Sequence, residues 1–283
     1  MIEIKDLSFT YKESQEPTVK NINLVIPDGQ FVGITGAAGS GKSTLTYLFN
    51  GIVPHCYPGD FYGAVTIDGH DTVDTNLTDI SQLVGSVCQD IDSQMISSVV
   101  EDEVLYGLEN FGFNHDKIES LMNEALEEMG IAHLKERNIA SLSGGQKQKV
   151  ALASILALKP KVLVLDEPTA ELDPVSSKNV FDLLKSCAQE HNITVIVVEQ
   201  KIALLSEYAD RILIVKEGEI ALDGSPSEVL EHSDELLAEG INCPRSTSLV
   251  NNLRQKGLYA GSACRNVEEA VQVCEQVLKG ACA

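Results

Sequence analysis

The chain has no tryptophan, and its aromatic residues make up only 5% of the total. Basic residues are also scarce: 21 Lys and Arg stand against 42 Asp and Glu, a formal net charge of -21. That balance argues against a protein that coats nucleic acid, which needs a basic face to displace phosphate counterions. No apolar run approaches the roughly 18–20 residues that cross a bilayer. The opening stretch MIEIKDLSF is mixed and strand-like, unlike a secretory leader. The seven cysteines (Cys56, Cys88, Cys187, Cys243, Cys264, Cys274, Cys282) contain no C-x-x-C pair, and their number is odd. Free thiols in a reducing compartment are the simplest expectation. The spacing of the last three matches no common zinc pattern.

What is present suffices for one large domain with a small appendage: 283 residues, 43% of them hydrophobic. An acidic, soluble protein is expected, and other subunits would supply any membrane path. Residues 2–9 and 21–26 alternate apolar and polar, as half-buried strands do. Residues 31–35 form an apolar strand running into a glycine loop and a helix over 41–49. A further β pair is expected around 64–67 and 83–87. Residues 99–129 read as helical, as do 146–158 and 175–189, and strands are expected at 162–165, 194–198 and 212–215. This alternation predicts an α/β fold: a mainly parallel sheet covered on both faces, with an antiparallel β subdomain and an inserted helical subdomain over about 90–158. From about residue 225 the character changes to short helices (234–238, 249–256, 267–278) with Cys, Gly and Ser between them. The boundaries read as 1–224 for the main domain and 225–283 for a small helical extension.

Three motifs carry chemistry. GAAGSGKST (Gly36 to Thr44) fits G-x-x-x-x-G-K-S/T between a strand and a helix. Gly39 and Gly41 let backbone N–H groups converge on phosphate oxygens, and the helix start adds its positive dipole end. Lys42 is expected to bridge the β- and γ-phosphates, Ser43 to ligate Mg²⁺, and Thr44 to hold the α-phosphate. VLVLDEP (Val162 to Pro168) ends an apolar strand in two carboxylates. Asp166 fits a water-mediated Mg²⁺ contact, and Glu167 fits the group that polarises the attacking water. Alone, an acidic turn after a core strand would be the better reading; a phosphate loop upstream reverses that. LSGGQ (Leu142 to Gln146) reads as a second anion site, with Ser143, Gly144 and Gly145 opening a helix. One phosphate loop already covers one triphosphate, so this second loop is free to cap the ATP of a partner subunit.

In this order, the motifs resemble those of ABC transporter ATPases, P-loop NTPases, over roughly the first four fifths of the chain. The resemblance implies ATP and Mg²⁺ as cofactors. Gly36, Gly39, Ser40, Gly41, Lys42, Ser43 and Thr44 would cradle phosphate, and Gln146 would complete the partner-facing loop with Ser143, Gly144 and Gly145. Tyr11 resembles the aromatic that stacks on adenine. Gln89 in VCQDIDSQ resembles the glutamine that contacts Mg²⁺ and reports to a membrane subunit. Asp173 in AELDP resembles a dimer-interface aspartate. The stretches VCQDIDSQ, SVVEDEVLYGLENFG and SLSGGQKQKVALA are similar to the ATPases of energy-coupling factor importers, which take up vitamins, their precursors and transition metals. That similarity implies several partners: a second ABC ATPase, a transmembrane coupling subunit and a substrate-binding membrane protein. It also implies a place on the cytoplasmic face of the membrane, with residues 94–112 receiving coupling helices and residues 225–283 making dimer contacts.

One departure bears on catalysis. Related ATPases place a histidine after the strand that follows the interface helix; here Gln200 occupies that position. Glutamine donates one hydrogen bond but carries no positive charge. Loss of one charge-assisted contact is worth ~1.5–3 kcal/mol, a roughly ten- to hundredfold slower step if felt only in the transition state. The catalytic set is therefore Lys42, Glu167 and Gln200, with slow hydrolysis expected at this chain's own phosphate loop. Lesser departures are Cys88 and Ile91 in the Gln89 loop, and Lys149 in place of a bidentate arginine. Rival readings stay open: another class of ABC transporter, a soluble ABC ATPase, and a nucleotide-binding regulator with little hydrolysis.

Overall fold

Strands of two burial types sort into two sheets. The computed structural model describes residues 1–281. In the first sheet β1 (Ile2–Tyr11), β2 (Val19–Ile26), β4 (Gly59–Ile67) and β5 (His70–Asp71) are antiparallel, in the order β2-β1-β4-β5. Along β2, Val19, Ile22, Leu24 and Ile26 are buried and their neighbours face outward, as one-sided strands require. The second sheet runs β10-β9-β3-β8-β7-β6. Here β3 (Phe31–Thr35), β6 (Val84–Val87), β7 (Val162–Asp166), β8 (Thr194–Val198) and β9 (Arg211–Lys216) are parallel, and β10 (Glu219–Gly224) is antiparallel to β9 at one edge. Every residue of FVGIT in β3 and TVIVV in β8 is buried, as for strands covered on both faces.

The expected pairing of residues 64–67 with 83–87 does not form. The first lies in β4 against β1, and the second is β6, parallel to β7 in the other sheet. A strand's apolar pattern fixes that it pairs, but not with which partner.

Alternate residues of the parallel strands feed two cores. Ile196 and Val198 of β8 face the antiparallel sheet, together with Leu45, Leu48 and Phe49 of α1 (Lys42–Phe49), Val53 of α2 (Ile52–His55) and Ile80 of α3 (Leu77–Leu83). Val195 and Val197 face the opposite core. That core takes side chains from α5 (Val100–Asn110), α6 (His115–Glu128), α7 (Gly144–Leu156), α8 (Pro174–His191) and α9 (Ile202–Tyr208). The short α4 (Ile91–Gln94) precedes α5, so α4 to α7 form the insertion between β6 and β7. The helical stretch expected over 99–129 is broken between α5 and α6. Gly112 adopts a left-handed φ of 69° there, and the Asn114 side chain caps α6 by accepting from the Asp116 N–H.

Beyond β10 the chain forms α10 (Pro226–Glu231), α11 (Ser233–Ala238), α12 (Arg245–Gln255) and α13 (Val267–Ala281). The buried Asn251 amide ties α12 back by donating to the Leu230 carbonyl at 2.8 Å and to Ser233 Oγ at 2.7 Å. Val250, Cys264, Ala270 and Val273 make a small separate core. Burial pushes the Cys264 thiol up, as for an inert structural cysteine. Cys282 lies outside the described residues. Among the described residues no helix is long and apolar enough to cross a membrane.

Candidate functional site

The parallel sheet decides where the candidate residues meet. Residues 36–44 follow β3, Gln89 follows β6, Asp166 and Glu167 end or follow β7, and Gln200 follows β8. All therefore gather at the carboxyl ends of the parallel strands, where α/β sheets bind ligands.

The loop between β3 and α1 is shaped for an anion. Gly36, Gly39 and Gly41 have φ of 155°, 75° and 104°. A Cβ on Gly36 would strike the Val215 carbonyl, and one on Gly41 the Thr18 carbonyl at 2.7 Å. The buried Ser40 Oγ has no hydrogen-bond partner, which leaves it to be satisfied by a ligand oxygen. Lys42 Nζ donates to the Gly36 and Ala37 carbonyls at 2.9 and 2.8 Å. Burial lowers its pKa, against the pull of the Glu167 and Asp166 charges. An additional anionic partner would complete its coordination.

Asp166 is the counterpart. Burial raises its carboxyl above the ordinary value, the Ser43 hydroxyl hydrogen-bonded to it works in the opposite direction, and Glu167 pushes it further up. Ser43 and Asp166 thus stand together with an oxygen donor set suited to a hard divalent cation. Among the described residues no three His, Cys, Asp or Glu side chains gather as a metal site.

Glu167 has the left-handed backbone φ of 48°, uncommon for a residue with a side chain. Its N–H donates to the Val198 carbonyl at 2.8 Å, tying the end of β7 to that of β8. Gln89 Nε2 donates to Glu167 Oε2 at 3.2 Å, and Gln200 Nε2 to Oε1 at 2.6 Å. Two amides from different strand ends therefore hold one carboxylate.

Tyr11 is less free than the sequence suggests. Its hydroxyl is 3.0 Å from Thr44 Oγ1, and its ring meets Phe9 and Tyr57 edge to face. Tyr57 in turn stacks on Tyr47 at 5.5 Å. Sequence reasoning missed both tyrosines; an aromatic two residues after the α2 turn gives no local sign of this contact.

Ser143, Gly144, Gly145 and Gln146 lie at the start of α7, where Gly144 borders a groove shared with Gln89 and Glu167 while Ser143, Gly145 and Gln146 line a separate one. Ser143 Oγ accepts from the Gln146 N–H while Gln146 Oε1 accepts from the Ser143 N–H, a reciprocal cap. Asp173 caps α8, accepting from the Val175 and Ser176 N–H groups at 2.9 and 3.1 Å. The Ser176 hydroxyl bonded to it holds its carboxyl below the usual range. Lys147 pairs with Asp92 at 2.6 Å, joining α7 to the segment after Gln89.

Sequence reasoning also gave no role to the residues flanking Gln200. Buried Glu199 accepts from the N–H groups of Gln200 at 2.9 Å and Lys201 at 3.1 Å, and from the Thr169 hydroxyl. Lys201 Nζ donates to the Thr169 carbonyl at 2.7 Å. A charged residue ending an all-apolar strand was the signal available.

A glycine-lined phosphate cradle, an acidic strand end and a second helix-start site, placed on these two sheets, define a nucleotide-binding cassette. The family profile described as ABC transporter matches residues 19–170, and the chain belongs to that family. A putative ABC transporter ATP-binding protein of Pyrococcus horikoshii is 39% identical over 279 residues, 99% of this chain and 95% of the relative. The energy-coupling factor transporter ATP-binding protein EcfA1 of Caldanaerobacter subterraneus is 38% identical, covering 96% and 98%. Among solved structures, CbiO1 from Clostridium perfringens, part of the ABC transporter complex CbiONQ, aligns with a TM-score of 0.75 at 33% identity, over 90% of this chain and 98% of that one. A dimeric ATP-binding cassette in a post-hydrolysis state bound to ADP and Pi aligns with a TM-score of 0.69 at 28% identity, over 80% and 99%. The protein is an ABC transporter ATP-binding subunit, similar to the ATPases of energy-coupling factor transporters, and cassettes of its kind dimerise.

Proposed function

We propose that this chain hydrolyses ATP to power an importer of the energy-coupling factor type, at the cytoplasmic face of the membrane. The observation that carries the reading is the position of Glu167, held by Gln89 and Gln200 beside the loop of Lys42. Backbone N–H groups of Gly39 to Thr44 bind the phosphates, Lys42 spans the outer two, and Tyr11 carries the base. Mg²⁺ on Ser43, Gln89 and, through water, Asp166 would offset phosphate charge. Glu167 accepts a hydrogen bond from the attacking water, and the two amides aim its carboxylate. The Gln200 substitution makes this site the slower one in an assembled pair.

Ser143 to Gln146 serve the ATP of a second ABC ATPase, and Asp173 lies at the interface. The extension from residue 225 adds contacts between the two ATPases. Val267, Val271 and Leu278 leave an exposed apolar stripe on α13 that supports this role. The region of residues 94–112 receives the coupling helices of a transmembrane subunit, which works with a substrate-binding membrane protein. Vitamins, their precursors or metal ions are the cargo class, in keeping with the similarity to EcfA1 and CbiO1. The cargo itself touches other subunits.

Affinity purification of the tagged chain from detergent-solubilised native membranes, followed by mass spectrometry, tests the assembly. A second ABC ATPase with a transmembrane scaffold is the expected company. Soluble partners alone would sink the importer reading.

A further inference from the structure

Glu199 follows the all-buried β8 and is itself only 2% exposed. A carboxylate taken so far out of water is costly unless its oxygens are filled. Here both are. Oε1 accepts from the N–H groups of Gln200 and Lys201 at 2.9 and 3.1 Å, and Oε2 accepts from the hydroxyl of the buried Thr169. The Lys201 ammonium meets the same residue, donating to the Thr169 carbonyl at 2.7 Å and to its hydroxyl oxygen at 3.3 Å. A countercharge thus stands one hydroxyl away from the buried carboxylate.

The partners of Glu199 belong to two segments. Thr169 lies in the turn that begins with Glu167, whose carbonyl accepts from the Ala170 N–H at 3.1 Å. Gln200 leaves the end of the neighbouring strand, and its amide meets Glu167 Oε1. The Glu199 N–H is fixed in turn, donating to the Ile34 carbonyl of β3 at 3.0 Å. A glutamine side chain rotates about several bonds, so its amide stays on one carboxylate oxygen only if its backbone is held. Glu199 supplies that hold, because it ties the Gln200 backbone to the same turn that carries Glu167.

We infer that Glu199 is a positioning residue for hydrolysis, which fixes the Gln200 backbone against the Thr169 turn so that the Gln200 amide stays on Glu167. It acts through Gln200 and holds no nucleotide itself. The inference rests on the hydrolytic reading of Glu167 and Gln200, and it deepens that reading by one residue. Acting through another group sets a ceiling on the effect. Glu199 cannot matter more than Gln200 does, and it cannot matter once Gln200 is gone.

The test uses the assembled complex with this chain unaltered, with Glu199→Ala, with Gln200→Ala, and with both changes. Trapping of 8-azido-ADP with Mg²⁺ and vanadate, crosslinked to this chain, reads turnover at its own phosphate loop. Mg-AMP-PNP affinity reads ground-state binding. Each single change should slow trapping about tenfold, the factor one hydrogen bond to a charged group carries, and the double change should lie within about twofold of either. Affinity should stay within about twofold throughout. Glu199→Gln keeps an oxygen that accepts both N–H groups, so it should trap within about threefold of the unaltered chain. Should Glu199→Ala not fold, Thr169→Val withdraws only the anchoring hydroxyl and takes its place, with about threefold slowing that Gln200→Ala abolishes. Losses that multiply in the double variant, unchanged trapping, or affinity that falls along with trapping overturn the inference. If the unaltered chain binds Mg-AMP-PNP but traps nothing, the hydrolytic reading itself falls and the inference falls with it.

Discussion

Gln200 Nε2 donates to Glu167 Oε1 at 2.6 Å, from the end of one strand to the end of its neighbour. The amide therefore orients the carboxylate, as a ring N–H would, but brings no charge toward phosphate. Gln200→His restores that charge. Turnover of the assembled complex should rise roughly tenfold, from one charge-assisted contact regained. Steady-state phosphate release measures it, and an unchanged rate would show that glutamine is merely tolerated.

Glu167→Gln removes the acceptor for the water proton and keeps the shape. Hydrolysis should drop by at least about 10²-fold, the usual contribution of a positioned base. Nucleotide affinity and the unfolding midpoint should stay near their original values, since Gln fits the left-handed backbone no worse than Glu. Loss of binding together with hydrolysis would mean that Glu167 holds the nucleotide instead.

The phosphate loop and the acidic strand end were legible because each is a short run whose chemistry is contiguous in sequence. The convergence of Gln89, Glu167 and Gln200 depends on strand order, which no local run encodes. The same gap explains the misassigned partners of β4 and β6: burial patterns give a strand its faces and leave its neighbour open. Tyr57 and Tyr47 went unseen because they meet Tyr11 through space. The reciprocal cap of Ser143 and Gln146, in contrast, was present in the letters, three residues apart.

Asp166 carries a pH dependence of definite sign. Its native carboxyl titrates above 3.8 because burial disfavours the charge. Between 3.8 and that raised value the native chain holds more protons than the unfolded one, so stability falls as pH rises through the window. The cost is fully present at neutral pH. Asp166→Asn should raise the nucleotide-free unfolding midpoint by a few degrees at pH 7, and the gain should vanish as pH falls toward 3.8. Thermal unfolding across pH reads this directly, and a lower midpoint at pH 7 would contradict it.

Tyr11→Ala should weaken ATP binding by roughly three- to tenfold, the worth of about 0.5–1.5 kcal/mol of ring stacking. Tyr11→Phe keeps the ring and loses only the bond to Thr44, so it should bind within about twofold of the unaltered chain. Calorimetric titration separates the two. Equal losses in both variants would assign the role to the hydroxyl.

The cap at the start of α7 has a kinetic consequence. The Ser143 oxygen accepts from the Gln146 N–H within its own helix, and the hydroxyl proton remains free to point outward. On the proposed reading of this loop as the cap for a second subunit's ATP, its shape is set before contact and little ordering is left for that moment. The time for a second cassette to engage is then set by how fast two rigid faces meet in the right orientation, rather than by how long a loop takes to fold.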